Sequence, residues 1–291
     1  MQIGAVFPQT EIGNDPEVVR SWAQTVEQAD YGHILAFDHV LGAGADTRPG
    51  WAGYTHETAF HEVFVLFGFL AAVTTTVELA TGVLVLPQRQ TALVAKQAAE
   101  VDVLSGGRMR LGVGVGWNRV EYQALGEDFS NRGARSAEQV EVMRALWAEP
   151  KTSFSGRWHT IDNAGIEPRP VRGRIPVWFG GNADAVLRRV GRIGDGWLPQ
   201  SPPHEQARLT LERVRGYAEA AGRDPAGIGF EARLVLAEVP ESHWLDFALG
   251  WRQIGATHLC VSTMGLGLAK PGEHADLIRQ VRRTLAPAVD G

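Results

Sequence analysis

The 291-residue chain holds a single cysteine, Cys260, and only three lysines, Lys96, Lys151 and Lys270, among its 28 basic residues. One cysteine excludes an intrachain disulfide framework and any cysteine-rich metal site. Within the apolar run 257–262 it reads as a buried strand residue rather than a reactive thiol. The lysines fall in a helix, a loop and a segment beyond the last strand, so none suits Schiff-base chemistry on an inward strand position. A lysine-lined sugar-phosphate pocket has nothing to be built from. Apolar runs are short: the longest candidate, 63–73, falls well below the ~18–20 residues of a membrane span. Met1–Pro8 has neither the basic start nor the apolar core of a signal peptide. Net charge is −5, which leaves no basic footprint for nucleic acid or an anionic membrane. Hydrophobic residues at 44% and charged residues at 21% exclude a disordered or fibrous chain. The expectation is a cytoplasmic enzyme acting on a small molecule.

What is present is a repeated rhythm of short apolar strand and amphipathic helix. Strands are expected near 2–7, 34–37, 77–86, 110–115, 175–179, 196–199, 229–237 and 257–262, with helices near 16–30, 64–74, 91–104, 136–148, 183–193, 204–221, 241–254 and 273–285. Asp15 before Pro16 marks one helix start, and Ser105-Gly106-Gly107 marks a helix stop. About eight such units without a Pro/Gly/Ser linker favour one α/β domain, 1–291, folded as a closed (β/α)8 TIM barrel rather than an open sheet. Strands apolar on both faces suit an all-parallel sheet. Three stretches break the rhythm: 40–61 after strand two, 116–135 after strand four, and 151–174, which alternates like a hairpin around Ser155-Gly156. Long loops inside a compact domain are usually functional. The first two leave the carboxyl ends of their strands, where barrel enzymes carry their chemistry.

Four constellations stand at strand ends. Phe37-Asp38-His39 offers an imidazole that exchanges protons near neutral pH and a carboxylate that fixes its tautomer; a loop cap and a structural histidine are the bland alternative. Thr81-Gly82-Val83 interrupts an apolar strand with glycine, the mark of a bulge or of close approach by a ligand or a second backbone. Gly112-Val113-Gly114-Val115-Gly116-Trp117 lacks the spacing and context of a dinucleotide fingerprint. Its alternate glycines either admit a flat ring, with Trp117 over one edge, or serve tight packing. Phe179-Gly180-Gly181-Asn182 precedes a helix and presents backbone N–H groups to an anion, unless it is a plain turn capped by Asn182. His56 and His61 are five apart, rotated about 140° from each other on a helix, so they do not make a zinc pair. No metal site and no nucleophile elbow is expected.

Read in order, these and neighbouring motifs resemble the bacterial luciferase-like monooxygenase superfamily, specifically its F420-dependent oxidoreductase branch. The carrying stretches are Phe37-Asp38-His39-Val40, Leu79 through Pro87, Val94-Ala95-Lys96-Gln97, Asp102 through Arg108, Leu111 through Trp117, Gly133 with Arg135, Ile175 through Gly181, and Gly194-Asp195-Gly196-Trp197. The resemblance runs from about residue 2 to residue 200. It implies a barrel, usually homodimeric, with a deazaflavin ring at the carboxyl-end mouth. It also implies that Asp38 and His39 lie by the ring, that Gly82-Val83 forms a bulge with a non-proline cis peptide, and that Gly180, Gly181 and Asn182 make the phosphate loop. Asp-His followed by Val40, where many FMN members carry Glu-His-His, points to F420, with FMN the alternative. Trp117 stands where sugar-phosphate-oxidising relatives carry a catalytic glutamate, a departure that speaks against that substrate class.

The expected chemistry is hydride transfer between the deazaflavin C5 and a small organic substrate, with His39 as proton donor or acceptor and Asp38 orienting it or touching the ring. Thr81, Gly82, Val83, Gly114, Gly116 and Trp117 are the further cofactor-binding candidates. Trp51, Tyr54, Phe60 and Trp117 are the candidate substrate pocket. A flavin or F420 reductase would supply reduced cofactor. The rivals are an FMN-dependent monooxygenase, a flavin-binding protein without turnover, and an unrelated metal-dependent barrel hydrolase.

Overall fold

The computed structural model of the chain describes residues 1–199 and 202–289. Short strands rich in valine, leucine and isoleucine line up side by side: β1 (Gln2–Val6), β2 (His33–Ala36), β3 (Glu78–Thr81), β4 (Leu84–Val85), β5 (Met109–Gly114), β8 (Val177–Gly180), β9 (Gly196–Leu198), β10 (Gly229–Val235) and β11 (His258–Ser262). All their pairings are parallel, and β3 pairs with both β2 and β5, which closes the sheet. β3 and β4 together fill one position, so the barrel has eight. Outside it pack α1 (Pro16–Gln28), α2 (Val63–Val73), α3 (Thr91–Leu104), α5 (Arg132–Ala148), α6 (Asp184–Ile193), α7 (Glu205–Ala220), α8 (Trp244–Ile254) and α9 (Pro271–Thr284), the arrangement of a (β/α)8 barrel. A short α10 (Ala286–Val289) ends the described chain.

Two differences from the sequence reading have local causes. The expected strand 77–86 is broken in two at Gly82–Val83, a cis peptide, where a Gly82 Cβ would meet Leu35 at 2.2 Å, and Leu86–Gln88 then turns as a 3₁₀ helix. The loop 116–135 contains α4 (Arg119–Ala124), begun by Asn118, whose side chain accepts from the Val120 N–H. Its single turn and a half is too short to show a helical period. The hairpin is present as β6 (Thr152–Ser155) against β7 (Thr160–Ala164), with the turn after Ser155.

Strand alternation sorts the side chains into two layers. Phe230, Ala232 and Leu234 of β10 face the apolar layer between sheet and helices. Val6, Leu35, Ala80, Trp178, Leu198 and Cys260 fill the barrel axis, with Phe37, Val83 and Met264 at its edge. Nearer the strands' amino ends the axis is ionic. Glu231 accepts from Arg110 and is 2.6 Å from His33 Nε2, and Arg110 also donates to Glu78 at 2.7 Å. Arg110 holds the Glu231 carboxyl well below its ordinary value against the upward push of burial. Removing one partner of such a pair is far more costly than never having built it.

Candidate active site

β2 ends at Ala36, and the next three residues alternate in direction as they enter the mouth. Phe37 continues the inward row of Leu35. Asp38 is buried; its carboxylate accepts from the Val85 N–H at 2.9 Å and pairs with Arg89 at 2.6 Å. Arg89 reaches Glu62, the cap of α2, at 2.9 Å. Asp38 therefore ties the end of β2 to β4 and α2, and both its oxygens are engaged away from His39. That corrects the expectation that Asp38 orients the imidazole.

The carboxylate facing His39 is Glu121, on α4. Its Oε2 is 3.5 Å from His39 Nδ1, and the side chain is 1% exposed. Glu121 Oε1 accepts from the Val40 N–H at 2.8 Å and the Leu41 N–H at 3.3 Å, while Oε2 accepts from the Tyr54 hydroxyl at 2.5 Å and from Gln88 at 3.3 Å. Burial pushes the Glu121 carboxyl up, but the nearby His39 imidazole and hydrogen bonds from Tyr54 and the Val40 N–H outweigh it and bring it down to about 2. The same carboxylate, together with burial, pushes the Tyr54 hydroxyl well above its ordinary value, so Tyr54 stays a neutral donor. Asn118 donates to the Tyr54 oxygen at 2.9 Å.

The four candidate pocket residues come together around this pair. The Tyr54 ring lies 3.8 Å from the His39 ring and Phe60 meets it edge-on at 4.7 Å; Trp117 packs at 5.5 Å on both Trp51 and Tyr54. Gly53 lets the Trp117 indole lie this close, since a Cβ there would stand 2.2 Å from its Cη2 and push the ring outward. Half-exposed Trp117 forms the outer edge of this aromatic wall.

The bulge stands at the end of β3, the strand next to β2. Thr81 is buried and donates to the Gly112 carbonyl at 2.6 Å. The room left by the glycines of β5 is already filled. A Cβ on Gly114 would meet Val83 Cγ2 at 2.4 Å, one on Gly180 would meet Val83 Cγ1 at 2.8 Å, one on Gly112 the Thr81 carbonyl at 2.0 Å, and one on Gly116 Val85 Cγ1 at 2.6 Å. Gly114 and Gly116 thus seat the bulge and its flank rather than admitting a ring themselves, and Val83 is what the bulge brings to the edge of the axis. Gly181 has φ +120°, a backbone conformation that favours glycine, and its carbonyl accepts from Trp197 Nε1 at 2.8 Å. Asn182 does not cap α6; the N-cap is Ala183, without a side-chain hydrogen bond. Asn182 is exposed beside this helix start, whose first turn carries Asp184, engaged with Arg188 and Tyr217.

His33, Glu231 and Cys260 bring ligand-type atoms within 4.8 Å of one another, yet Arg110 already supplies the cation there and both Glu231 oxygens are engaged. Burial pushes the Cys260 thiol up, as befits a packed strand residue. His56 is exposed and His61 packs against Phe7 at 5.7 Å. Sequence reasoning missed Glu121, Arg89 and Arg233. Only Arg233 left a local signal: Glu231 and Arg233 share the inward parity of an otherwise apolar strand.

The sequence profile of the luciferase-like monooxygenase family matches residues 1–284. The Mycobacterium tuberculosis protein Rv0940c is 38% identical over 164 residues, 56% of each chain. The FMNH(2)-dependent dimethylsulfone monooxygenase of Pseudomonas fluorescens is 30% identical over 226 residues, 76% of this chain and 58% of its own. The pyrimidine monooxygenase RutA of Allorhizobium ampelinum is 33% identical over 239 residues, 76% of this chain and 63% of its own. The chain thus spans less than two thirds of the length of these relatives. Among solved structures, an F420-dependent secondary alcohol dehydrogenase in complex with an F420-acetone adduct superposes with a TM-score of 0.81 at 18% identity, covering 100% of this chain and 99% of the other. Monooxygenase RslO1 from Streptomyces bottropensis gives 0.78 at 20% identity, with 99% of both chains covered. These two show the shared fold. With the profile matched over nearly its whole length, the chain belongs to the luciferase-like monooxygenase family.

Proposed function

We propose that the protein is an F420-dependent oxidoreductase that moves a hydride between the deazaflavin and a small organic substrate. The observation that carries the reading is the imidazole of His39, stacked on Tyr54 and faced by the buried carboxylate of Glu121, at the carboxyl end of the barrel. The residues present fit a flat heterocycle with an anionic tail. Val83 supplies an apolar bulge seated by Gly114 and Gly180, an aromatic wall stands near His39, and the α6 start beside Gly180, Gly181 and Asn182 has an N-cap without a side-chain hydrogen bond, its first-turn Asp184 being taken up by Arg188 and Tyr217. Gly82, Val83, Asp38 and His39 would lie by the ring, and Gly180, Gly181 and Asn182 would hold the tail.

When bound, the deazaflavin supplies a hydride donor or acceptor at C5. The protein does the rest. His39 turns Nδ1 toward Glu121, which leaves Nε2 to exchange a proton with the substrate. Glu121 and Tyr54 hold the ring orientation, and Trp51, Phe60 and Trp117 exclude water. Homodimer formation and resupply by a separate reductase belong to the same reading.

A second reading is favoured by the names of two relatives, which use FMNH(2) or are monooxygenases: an FMN-dependent monooxygenase that consumes O2. Titration with F420 and with FMN separately, followed by turnover with and without O2, tests the proposal. Saturable F420 binding and O2-independent oxidation of reduced F420 by a substrate support it. Preference for FMN with O2 uptake replaces it by the second reading.

A further inference from the structure

Between the bulge and the ionic layer a narrow cavity of about 20 Å³, room for about one water-sized group, opens on the barrel axis. Leu35, Gly82, Val83, Leu198, Pro199 and Cys260 make its wall apolar. Two charged side chains reach it, Glu231 and Arg233, and they differ in kind. Glu231 is spent: one oxygen is taken by His33 and the other by Arg110. Arg233 stands one inward position further along β10, beside Cys260 on β11, and among the described residues its guanidinium has no hydrogen bond or ion pair. What holds it is the Phe37 ring, 5.1 Å from Cζ. A cation–π contact fixes the position of a guanidinium without neutralising it or using its in-plane N–H donors. Burial lowers the affinity of Arg233 for its proton, yet a guanidinium stays charged in proteins. A chain of net charge −5 therefore keeps one half-buried cation, aimed by an aromatic ring, at an apolar cavity.

We infer that Arg233 is a substrate-binding residue that takes a planar oxyanion, and that the substrate of this enzyme carries a carboxylate. The inference rests on the reading of the barrel mouth as the reaction site. The fork of a guanidinium matches two carboxylate oxygens. The cavity has room for the carboxylate itself, with the carbon frame left outside it, and excludes the fused rings of a coenzyme.

The test is binding of benzoate and of its neutral isostere benzamide, measured calorimetrically with and without saturating F420, to the wild type, Arg233→Met and Arg233→Lys. Benzoate is expected to bind the wild type at least about tenfold more tightly than benzamide. Arg233→Met should lose about ten- to hundredfold in benzoate affinity, the scale of a charged hydrogen-bonded contact, with benzamide unchanged, and Arg233→Lys should keep part of it. F420 affinity should stay within about twofold in all three proteins. Equal binding of benzoate and benzamide to the wild type, no benzoate binding, or unchanged benzoate binding in Arg233→Met overturns the inference. So does a tenfold loss of F420 affinity in Arg233→Met, which would turn the guanidinium toward the coenzyme. The wild-type comparison decides even if Arg233→Met fails to fold. Failure of the wild type to bind F420, with benzoate still discriminated, would sink the coenzyme reading and leave the anion site standing.

Discussion

Glu121 Oε2 lies 3.5 Å from His39 Nδ1 across 82 residues of chain, and the same oxygen accepts from the Tyr54 hydroxyl at 2.5 Å. The carboxylate holds the phenol by a direct hydrogen bond and draws the Nδ1 side of the imidazole toward it by charge, with the Tyr54 ring packed on the His39 ring. This clamp, rather than the adjacent Asp38, sets the direction of the His39 ring.

Replacing His39 by alanine should lower turnover by about 10²–10⁴-fold, the usual worth of a positioned acid or base, with cofactor affinity changed far less. Stopped-flow oxidation of reduced F420 under single-turnover conditions separates the two. Equal rates in the variant would remove His39 from the reaction.

Glu121 also links folding to pH. Its folded carboxyl titrates near 2 against an ordinary 4.5. The native state thus holds the proton less tightly than the unfolded chain, and the contribution to stability is complete above about pH 4.5 and lost as pH falls toward 2. Urea unfolding of Glu121→Gln should be less stable than wild type at pH 7, with the gap narrowing on acidification below pH 4.5. A gap that stays constant down to pH 3 would contradict the assignment.

Arg89→Met leaves the buried Asp38 carboxylate without its cation. The expected cost is about 3–5 kcal/mol, read from the denaturation midpoint. Arg89→Met combined with Asp38→Asn should recover much of it, and no recovery would show that Arg89 acts on something other than Asp38.

Gly114→Ala drives a methyl group into Val83. A destabilisation of about 1–3 kcal/mol is expected for such overpacking, together with loss of cofactor affinity, and Val83→Ala in the same chain should relieve the clash. Thermal melts of the single and double variants measure it. An innocuous Gly114→Ala would mean that the glycine is not there to seat the bulge.

Much of the fold is legible along the chain because it is local. The alternation of short apolar runs with helical spacing marks the barrel, and the glycine inside 77–86 marks the break before Val83. The site is legible only in part. His39 and the aromatic residues of the long loop stand out by type and by their place after a strand. Glu121 does not, since nothing near a loop carboxylate records that it will fold back onto backbone N–H groups 80 residues earlier. The glycines of β5 were ambiguous for a related reason: a missing side chain shows that something comes close, but not whether it is a ligand or, as here, Val83. Arg233 could have been read from strand parity, since a lone pair of charges on one face of an apolar strand must point into the barrel.

The most direct test of the account is a parallel titration of the purified protein with oxidised F420 and with FMN, followed by protein and cofactor fluorescence. Saturable F420 binding at least about tenfold tighter than FMN is expected, weakened when Gly114→Ala displaces Val83. Tighter binding of FMN, or no binding of either, would contradict it.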